Sequence, residues 1–315
     1  MSVRWPPNTE GCGPETLRNV AITVSIIVLL LGFSARWIAA GNTDASGDLY
    51  VQAASPVLFA FRLACAALKT FTLSKVYADT TPLEARHSVP GRPAIAVVVY
   101  EFRHSGRWST FTLWCNTVDA VYFWLAALVS ASDLGALGGG APAGFRAVAH
   151  LLWEICFPLA FLVNLVVTFV LFPLAKKEGY YSKVCHMLGW RPLVLHNGFV
   201  LMAAGEAVLA GTPLRPGNMP LIQLFCLTYL VFAWCLWLRT GVFHYFFMDP
   251  RFSMQPVALV AILALLAALY GIGSVAVAAA SGSWAGAAAV LAAAVGTCKW
   301  SDPDVGREDA ATKAQ

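Results

Sequence analysis

The sequence predicts an all-α fold, a polytopic bundle of transmembrane helices. Of its 315 residues, 58% are hydrophobic and only 12% are charged, whereas a soluble domain carries about 25% charged residues. The apolar residues form blocks close to the ~20 residues that a helix needs to cross a bilayer core. Because backbone amides in lipid must bond within their own segment, we expect each block to be a helix.

Seven apolar blocks set the minimum number of spans. The first follows an 18-residue polar lead and is typical of an uncleaved anchor rather than a signal peptide. The second contains Arg62 and, near its end, Lys69. A further Ala-rich stretch at 284–298 has only 15 residues, which leaves open whether it is a short eighth span. The seven blocks lie at 19–40, 54–74, 111–131, 147–174, 193–211, 219–238 and 255–280.

The basic residues predict the orientation of the chain. The loops at 75–109 and 175–192 are rich in lysine and arginine, and they alternate with loops that hold one such residue or none. The positive-inside rule then places the N-terminus in the cytosol. The sequence does not distinguish the endoplasmic reticulum from the plasma membrane. An excess of 21 basic over 17 acidic residues is too small to indicate a nucleic-acid partner.

Polar residues inside the third block form one stripe. Thr112, Asn116 and Asp119 are spaced i, i+4 and i+7, which places them on the same face of a helix. A charge at the centre of a span costs about 2.5–3.5 kcal/mol, so such groups usually face the interior of the protein or a cavity. The stripe therefore indicates either a lined cavity or hydrogen bonds between helices.

The fifth block contains His196 and, ten residues on, Glu206. Ten residues of helix rise about 15 Å, so the glutamate lies near the expected midplane. His196 alone is also typical of a histidine at a helix end. However, one span separates blocks three and five, so they run in the same direction. Thr112 and His196, both near the start of a block, are then predicted at similar depth, which allows a threonine–histidine pair.

Common metal and hydrolase motifs are absent from the sequence. The cysteines show no CxxC spacing and are interpreted as small packing residues. His150 and Glu154 are spaced i, i+4, which suits a metal ligand pair or a simple hydrogen-bonded couple. There is no HExxH or GxSxG sequence. We expect no metal and no cofactor.

The segment 106–112, Gly-Arg-Trp-Ser-Thr-Phe-Thr, resembles the opening of a span in the androgen-induced protein family. These are multi-pass membrane threonine hydrolases that cleave fatty acid esters of hydroxy fatty acids. The resemblance implies a catalytic pair made of the threonine that ends the motif and a histidine two spans later, here Thr112 and His196. Further similar features, in the same order, are Tyr122-Phe123, Asp133, Phe157-Pro158, the spacing of His196 and Glu206, Tyr229, Trp234 and the run 240–247.

The resemblance covers roughly residues 50–281 and so implies three regions. An N-terminal extension at 1–49 carries one extra span, a hydrolase-like transmembrane core occupies 50–281, and an Ala-rich stretch with a polar tail follows at 282–315. The first span, the long basic loop and the Ala-rich tail depart from the family, which typically has about six spans.

The resemblance also implies a mechanism. The Oγ of Thr112 would attack the ester carbonyl while His196 accepts its proton, because a hydroxyl needs an adjacent base. Asn116 and the indole of Trp108 are candidate oxyanion donors. The substrate would be a lipid ester with long acyl chains that enters laterally from the bilayer.

Asp119 and Glu206 are expected in the cavity wall rather than in a catalytic triad. One alternative is a transporter or channel in which Asp119, Glu206 and Glu154 form a proton or cation path. A second alternative is a scaffold whose basic 75–109 loop binds anionic lipid or a partner protein.

Overall fold

The computed structural model describes residues 14–40, 55–81, 83–87, 89, 98–102, 104–177, 187–241 and 243–302. Within these residues, seven helical segments are long and apolar enough to cross a membrane, which confirms the predicted all-α, polytopic fold. They are α1 (Pro14–Ala39), α2 (Pro56–Ala78), α3 (Phe111–Asp133), α4 with α5 (Ala143–Val166, Phe172–Lys177), α6 with α7 (Trp190–Leu193, Phe199–Ala210), α8 (Met219–Thr240) and α9 (Gln255–Gly282).

The Ala-rich stretch forms an additional short helix, α10 (Trp284–Thr297). Its 14 residues span about 21 Å, less than the ~30 Å of a bilayer core. Ser283 caps its N-terminus and accepts a hydrogen bond from the Gly286 amide. α10 is therefore a short apolar helix that follows the seven long spans of the described chain.

The basic loop contains a β-hairpin, which the sequence analysis did not predict. β1 (Leu83–His87) pairs antiparallel with β2 (Val98–Phe102), so that Leu83 lies opposite Phe102. The β-branched and aromatic residues of β2 favour this extended backbone. A short 3-10 helix (His104–Ser109) then leads into α3. Its Arg107 donates to the Thr81 carbonyl and pairs with Asp79.

Two turns of π-helix interrupt the spans, at Val167–Leu171 between α4 and α5 and at Val194–Gly198 between α6 and α7. A π-turn bonds each amide to the carbonyl five residues back and so inserts one extra residue into a helix. Such turns are frequent at functional sites. The pattern of hydrophobic residues in the sequence does not predict these two π-turns.

The described residues belong to two compact units. The first unit draws on Met1–Asp44, Lys75–Trp114 and Gly217–Ala268. Polar groups fix α1 within it: Asn19 Nδ2 donates to the carbonyls of Pro250 and Phe252, both at 3.0 Å, and Thr23 Oγ1 donates to Gln255 at 2.8 Å. An apolar core forms around α8, and its buried members are Ile27, Leu227, Tyr229, Leu230, Ala233, Phe243 and Met248.

The second unit draws on Ala45–Ser74, Cys115–Pro216 and Leu269–Gln315. Within it, α7 contacts both α4 and α10. α2 also approaches α7 closely, because a Cβ at Gly205 would lie only 2.8 Å from Cζ of Phe61. This close approach brings the next residue on each helix, Arg62 and Glu206, within reach of one another.

Candidate functional site

Thr112 is the second residue of α3 and is half-buried in the first unit. The helix begins where the carbonyl of Thr110 accepts the amides of Leu113 and Trp114, both at 3.2 Å. The first amides of any helix lack intrahelical partners and attract negative charge. Thr112 therefore lies in the first turn of α3, at the positive end of the helix dipole.

Trp108 lies in the 3-10 turn before α3 and is 40% exposed. Its ring stacks on Trp114, with 4.7 Å between the centroids. The packing holds the turn against the start of α3. Its predicted role as an oxyanion donor stays a prediction.

A hydroxyl–imidazole pair that the sequence analysis missed lies in the same unit. Ser109 Oγ is 2.6 Å from Nε2 of His244, and the Tyr229 hydroxyl donates to the Ser109 carbonyl at 2.9 Å. Ser109 is buried and His244 is half-buried. In the sequence, His244 stands out only as part of the run 240–247, and nothing there links it to Ser109, 135 positions away.

His196 lies in the second unit, at the centre of the π-turn Val194–Gly198. Its imidazole is hydrogen-bonded to the backbone of Pro192. Proline has no amide hydrogen, so the partner is the carbonyl. The sequence does not predict this contact.

A small pocket, with about 10 Å³ of space for a water-sized group, opens beside His196. Both π-turns contribute to its wall, and so does Lys299, which follows α10. Six of its ten lining residues are apolar and four are polar. Its lining residues are Val167, Thr168, Phe172, Met187, Leu188, Pro192, Leu193, His196, Asn197 and Lys299.

The lower part of the α3 stripe belongs to a buried polar cluster in the second unit. Lys69 of α2 donates to Asn116 Oδ1 at 2.5 Å and lies 3.0 Å from Asp119 Oδ2. The amide of Asn116 donates to the Leu195 carbonyl at 2.9 Å. The lysine also lies over the ring of Phe199, 4.3 Å from its centroid. The cluster therefore joins α2 and α3 to the span that carries His196.

Glu206 forms a second buried cluster with α2. Arg62 contacts its carboxylate through Nε and Nη2, with the closest approach 2.5 Å, and also donates to Ser130 Oγ at 2.7 Å. The hydroxyl of Tyr122 donates to Glu206 Oε1 at 2.7 Å. None of these side chains is more than 5% exposed. The buried carboxylate of Glu206 is stabilised here by a cation and a phenol.

His150 and Glu154 lie one turn apart on α4, and each contacts the loop before α8. Nε2 of His150 lies 3.6 Å from Glu154 and 3.1 Å from the Pro213 carbonyl. The Glu154 carboxylate accepts the backbone amide of Arg215 at 2.5 Å. Both residues thus fix the loop before α8. Among the described residues, no three His, Cys, Asp or Glu side chains are grouped as metal ligands would be.

The sequence does not predict the contacts of three basic residues in the second unit, Arg62, Lys69 and Lys299. Arg62 and Lys69 are seven residues apart and so share one face of α2. Two cations lie on one face of this span, and two acids lie in other spans. This pattern could have predicted the Arg62–Glu206 and Lys69–Asp119 pairs. Lys299 gave no such signal, because it follows a helix whose packing the sequence does not specify.

The seven long apolar helices define an integral, multi-pass α-helical membrane protein, whose solvent is the lipid bilayer. No protein-family model, no curated protein and no solved structure matches the chain. The resemblance to the androgen-induced family stays a prediction from the motifs.

Proposed function

We propose that the protein is an intramembrane lipid-ester hydrolase in which Thr112 is the nucleophile and His196 the base. Its substrates are fatty acid esters of hydroxy fatty acids. The observation that carries the proposal is the setting of His196, which contacts the Pro192 carbonyl and lines a small pocket at a π-turn, where six of the ten lining residues are apolar. An imidazole beside a small pocket suits general-base catalysis.

Thr112 enters the proposal from the motif at 106–112 and from its place at the N-terminus of α3. The span count predicts that Thr112 and His196 begin their spans on the same side of the membrane. With the N-terminus in the cytosol, this side is cytosolic, where water can reach the ester while the acyl chains stay in lipid. The membrane itself would be that of the endoplasmic reticulum or the plasma membrane.

The reaction runs in two halves. Oγ of Thr112 attacks the ester carbonyl carbon as its proton passes to His196, and the same proton then leaves with the alkoxide oxygen as the C–O bond breaks. The hydroxy fatty acid departs and an acyl-threonine remains. In the second half, His196 accepts a proton from water, the hydroxide attacks the acyl carbon, and the proton returns to Thr112 Oγ as the fatty acid leaves. No cofactor or metal is needed for this balance.

A fluorophosphonate probe tests this proposal, followed by peptide mapping of the labelled residue. We expect labelling of the detergent-solubilised full chain at Thr112, protection by a long-chain lipid ester, and no labelling of Thr112→Ala. Mapping is essential because Ser109 with His244 is a second hydroxyl–imidazole pair. Absence of labelling would favour the transporter or scaffold alternatives, and labelling at Ser109 would replace Thr112 as the nucleophile.

A further inference from the structure

We propose that the pocket beside His196 is the binding site of one water molecule, and that this water hydrolyses the acyl-threonine. The hydrolytic step rests on the proposed function, whereas the water site is defined independently of it. The pocket offers about 10 Å³ of space for a water-sized group, and a buried water needs about 10–15 Å³ measured in the same way. The pocket is therefore matched to a single water and is too small for an acyl chain.

The lining supplies enough polar groups to hold a water. A buried water makes about two to four hydrogen bonds. A threonine hydroxyl donates or accepts, an ammonium group donates, and an imidazole does either according to its tautomer. A wholly apolar pocket of this size would stay dry, whereas this one has the partners that a water requires. The polar lining residues are Thr168, His196, Asn197 and Lys299.

The π-turn Val167–Leu171 adds a backbone carbonyl that needs a partner. In a regular α-helix the carbonyl of Thr168 accepts the amide of Phe172, but here that amide bonds the carbonyl of Val167. The next position along the chain is Pro173, which has no amide hydrogen. Within this described span, the Thr168 carbonyl thus receives neither an α-type nor a π-type hydrogen bond. Ordered water is one of the partners that satisfy such a carbonyl at membrane depth, and Thr168 lines the pocket.

Hydrogen bonds hold the walls of the pocket together. Asn197, the residue after His196, donates through its Nδ2 to the Lys299 carbonyl at 2.8 Å. Asn164 of α4 donates to the carbonyl and the hydroxyl of Thr297, both at 2.9 Å. These two amide side chains tie the end of α10 to the two spans that contain the π-turns. The water site is therefore preorganised beside the base.

A water in this pocket gives the second half of the reaction its nucleophile. The water passes one proton to the imidazole of His196 as its oxygen bonds to the acyl carbon. That proton then goes to Thr112 Oγ as the bond between Oγ and the acyl carbon breaks, and the fatty acid leaves with the water oxygen. The first half of the reaction consumes no water. A change confined to the pocket should therefore slow the second half and leave the first half unchanged.

Decay of the acyl-enzyme tests this step. The purified full chain is acylated with p-nitrophenyl palmitate, so that the burst of nitrophenol measures the first half and the loss of acyl mass from the intact protein measures the second. We expect Thr168→Val to slow the loss of the acyl group about 10-fold and to change the rate of the burst by less than about 2-fold. Thr168→Ser keeps the hydroxyl and should behave like wild type.

Thr228→Val is the matched control for this experiment. It makes the same chemical change in the first unit, where the Thr228 hydroxyl donates to the Leu224 carbonyl of its own helix at 2.8 Å. Its burst and its acyl decay should equal those of wild type. An unchanged acyl decay in Thr168→Val, or an equal slowing of both halves, would overturn the hydrolytic role of the pocket.

Radiolytic footprinting tests the water site without any hydrolysis. A synchrotron pulse converts water into hydroxyl radicals, which oxidise the side chains next to that water. Phe172 lines the pocket and is 4% exposed, whereas Phe199 is 0% exposed and is not a lining residue. Phe145 is 51% exposed and reports the radical dose. We expect oxidation of Phe172 but not of Phe199 in wild type and in Thr112→Ala, and its loss in Thr168→Leu, whose larger apolar side chain fills the space.

The two experiments separate the water site from the proposed function. Oxidation of Phe172 in a chain that forms no acyl-enzyme would reject the hydrolase and keep the water site. Acylation of Thr112 without oxidation of Phe172 in wild type would keep the hydrolase and overturn the inference. Oxidation of Phe172 that persists in Thr168→Leu would assign the radicals to bulk solvent and would overturn the inference as well.

Discussion

Arg62 and Glu206 form an ion pair inside the second unit, with 2.5 Å between Nη2 and Oε1 and side chains only 3% and 0% exposed. The pair joins the second and fifth spans. Because each charge is far from water, each depends on the other for its stability.

Removal of one partner should therefore cost more than removal of both. We expect Arg62→Met to destabilise the protein by about 3–5 kcal/mol, because Glu206 is left as an unpaired buried charge, whereas Arg62→Met with Glu206→Leu recovers most of that loss. Thermal unfolding of the detergent-solubilised protein measures the stability of the single and the double variant. Arg18→Met is the control, since the Arg18–Glu15 pair is exposed and loose at 3.7 Å. A double variant as unstable as Arg62→Met would contradict this view of the pair.

Lys69 should influence His196 through Asn116. Lys69→Met removes the donor to Asn116 Oδ1, and Asn116 in turn holds the Leu195 carbonyl in the π-turn. We expect a lower melting temperature and, because the imidazole is displaced, a kcat lowered about 10-fold or more with a smaller change in KM. Steady-state kinetics of ester hydrolysis give kcat and KM separately and so check whether kcat changes more than KM.

Lys69→Met with Asp119→Leu serves as the companion variant. It removes the buried charge that Lys69→Met alone would strand, so stability should return while kcat stays low. If kcat recovered together with stability, the cluster would act only on folding and not on the position of His196.

Ser109 and His244 are expected to support the turn before α3 rather than to react. Ser109→Ala removes the hydrogen bond to Nε2 of His244 and should cost about 1 kcal/mol of stability. Fluorophosphonate labelling at Thr112 should persist in this variant. Loss of all labelling in Ser109→Ala, with the protein still folded, would show that the serine is the reactive hydroxyl.

The spans could be predicted because every backbone amide in lipid must bond within its own segment, so that each long apolar block must be a helix. Apolar length alone located all seven, and the block at 111–131 begins at the first residue of α3. The N-terminus of α1 lies five residues before the predicted block, since Pro14 suits a first helical turn and Glu15 complements its dipole.

Partners between spans could not be predicted in the same way. The sequence does not predict the basic partners that the structure gives to Asp119 and Glu206 from α2, because a pairing depends on which helix faces reach each other. The hairpin of β1 and β2, the two π-turns and the position of Lys299 depend likewise on packing. Thr112 and His196 were found through the motifs, and what the structure adds is the carbonyl that contacts His196 and the pocket beside it.

Hydrolysis of a fatty acid ester of a hydroxy fatty acid by the purified full chain tests the central claim most directly. The initial rate is compared for wild type, Thr112→Ala, Thr112→Ser, His196→Ala and, as a control on the same helix, Thr117→Ala. Wild type and Thr117→Ala should be active, Thr112→Ser should retain part of the rate, and the two other alanine variants should lose about 10³-fold or more while they still insert and fold. Full activity in Thr112→Ala or His196→Ala would contradict the account.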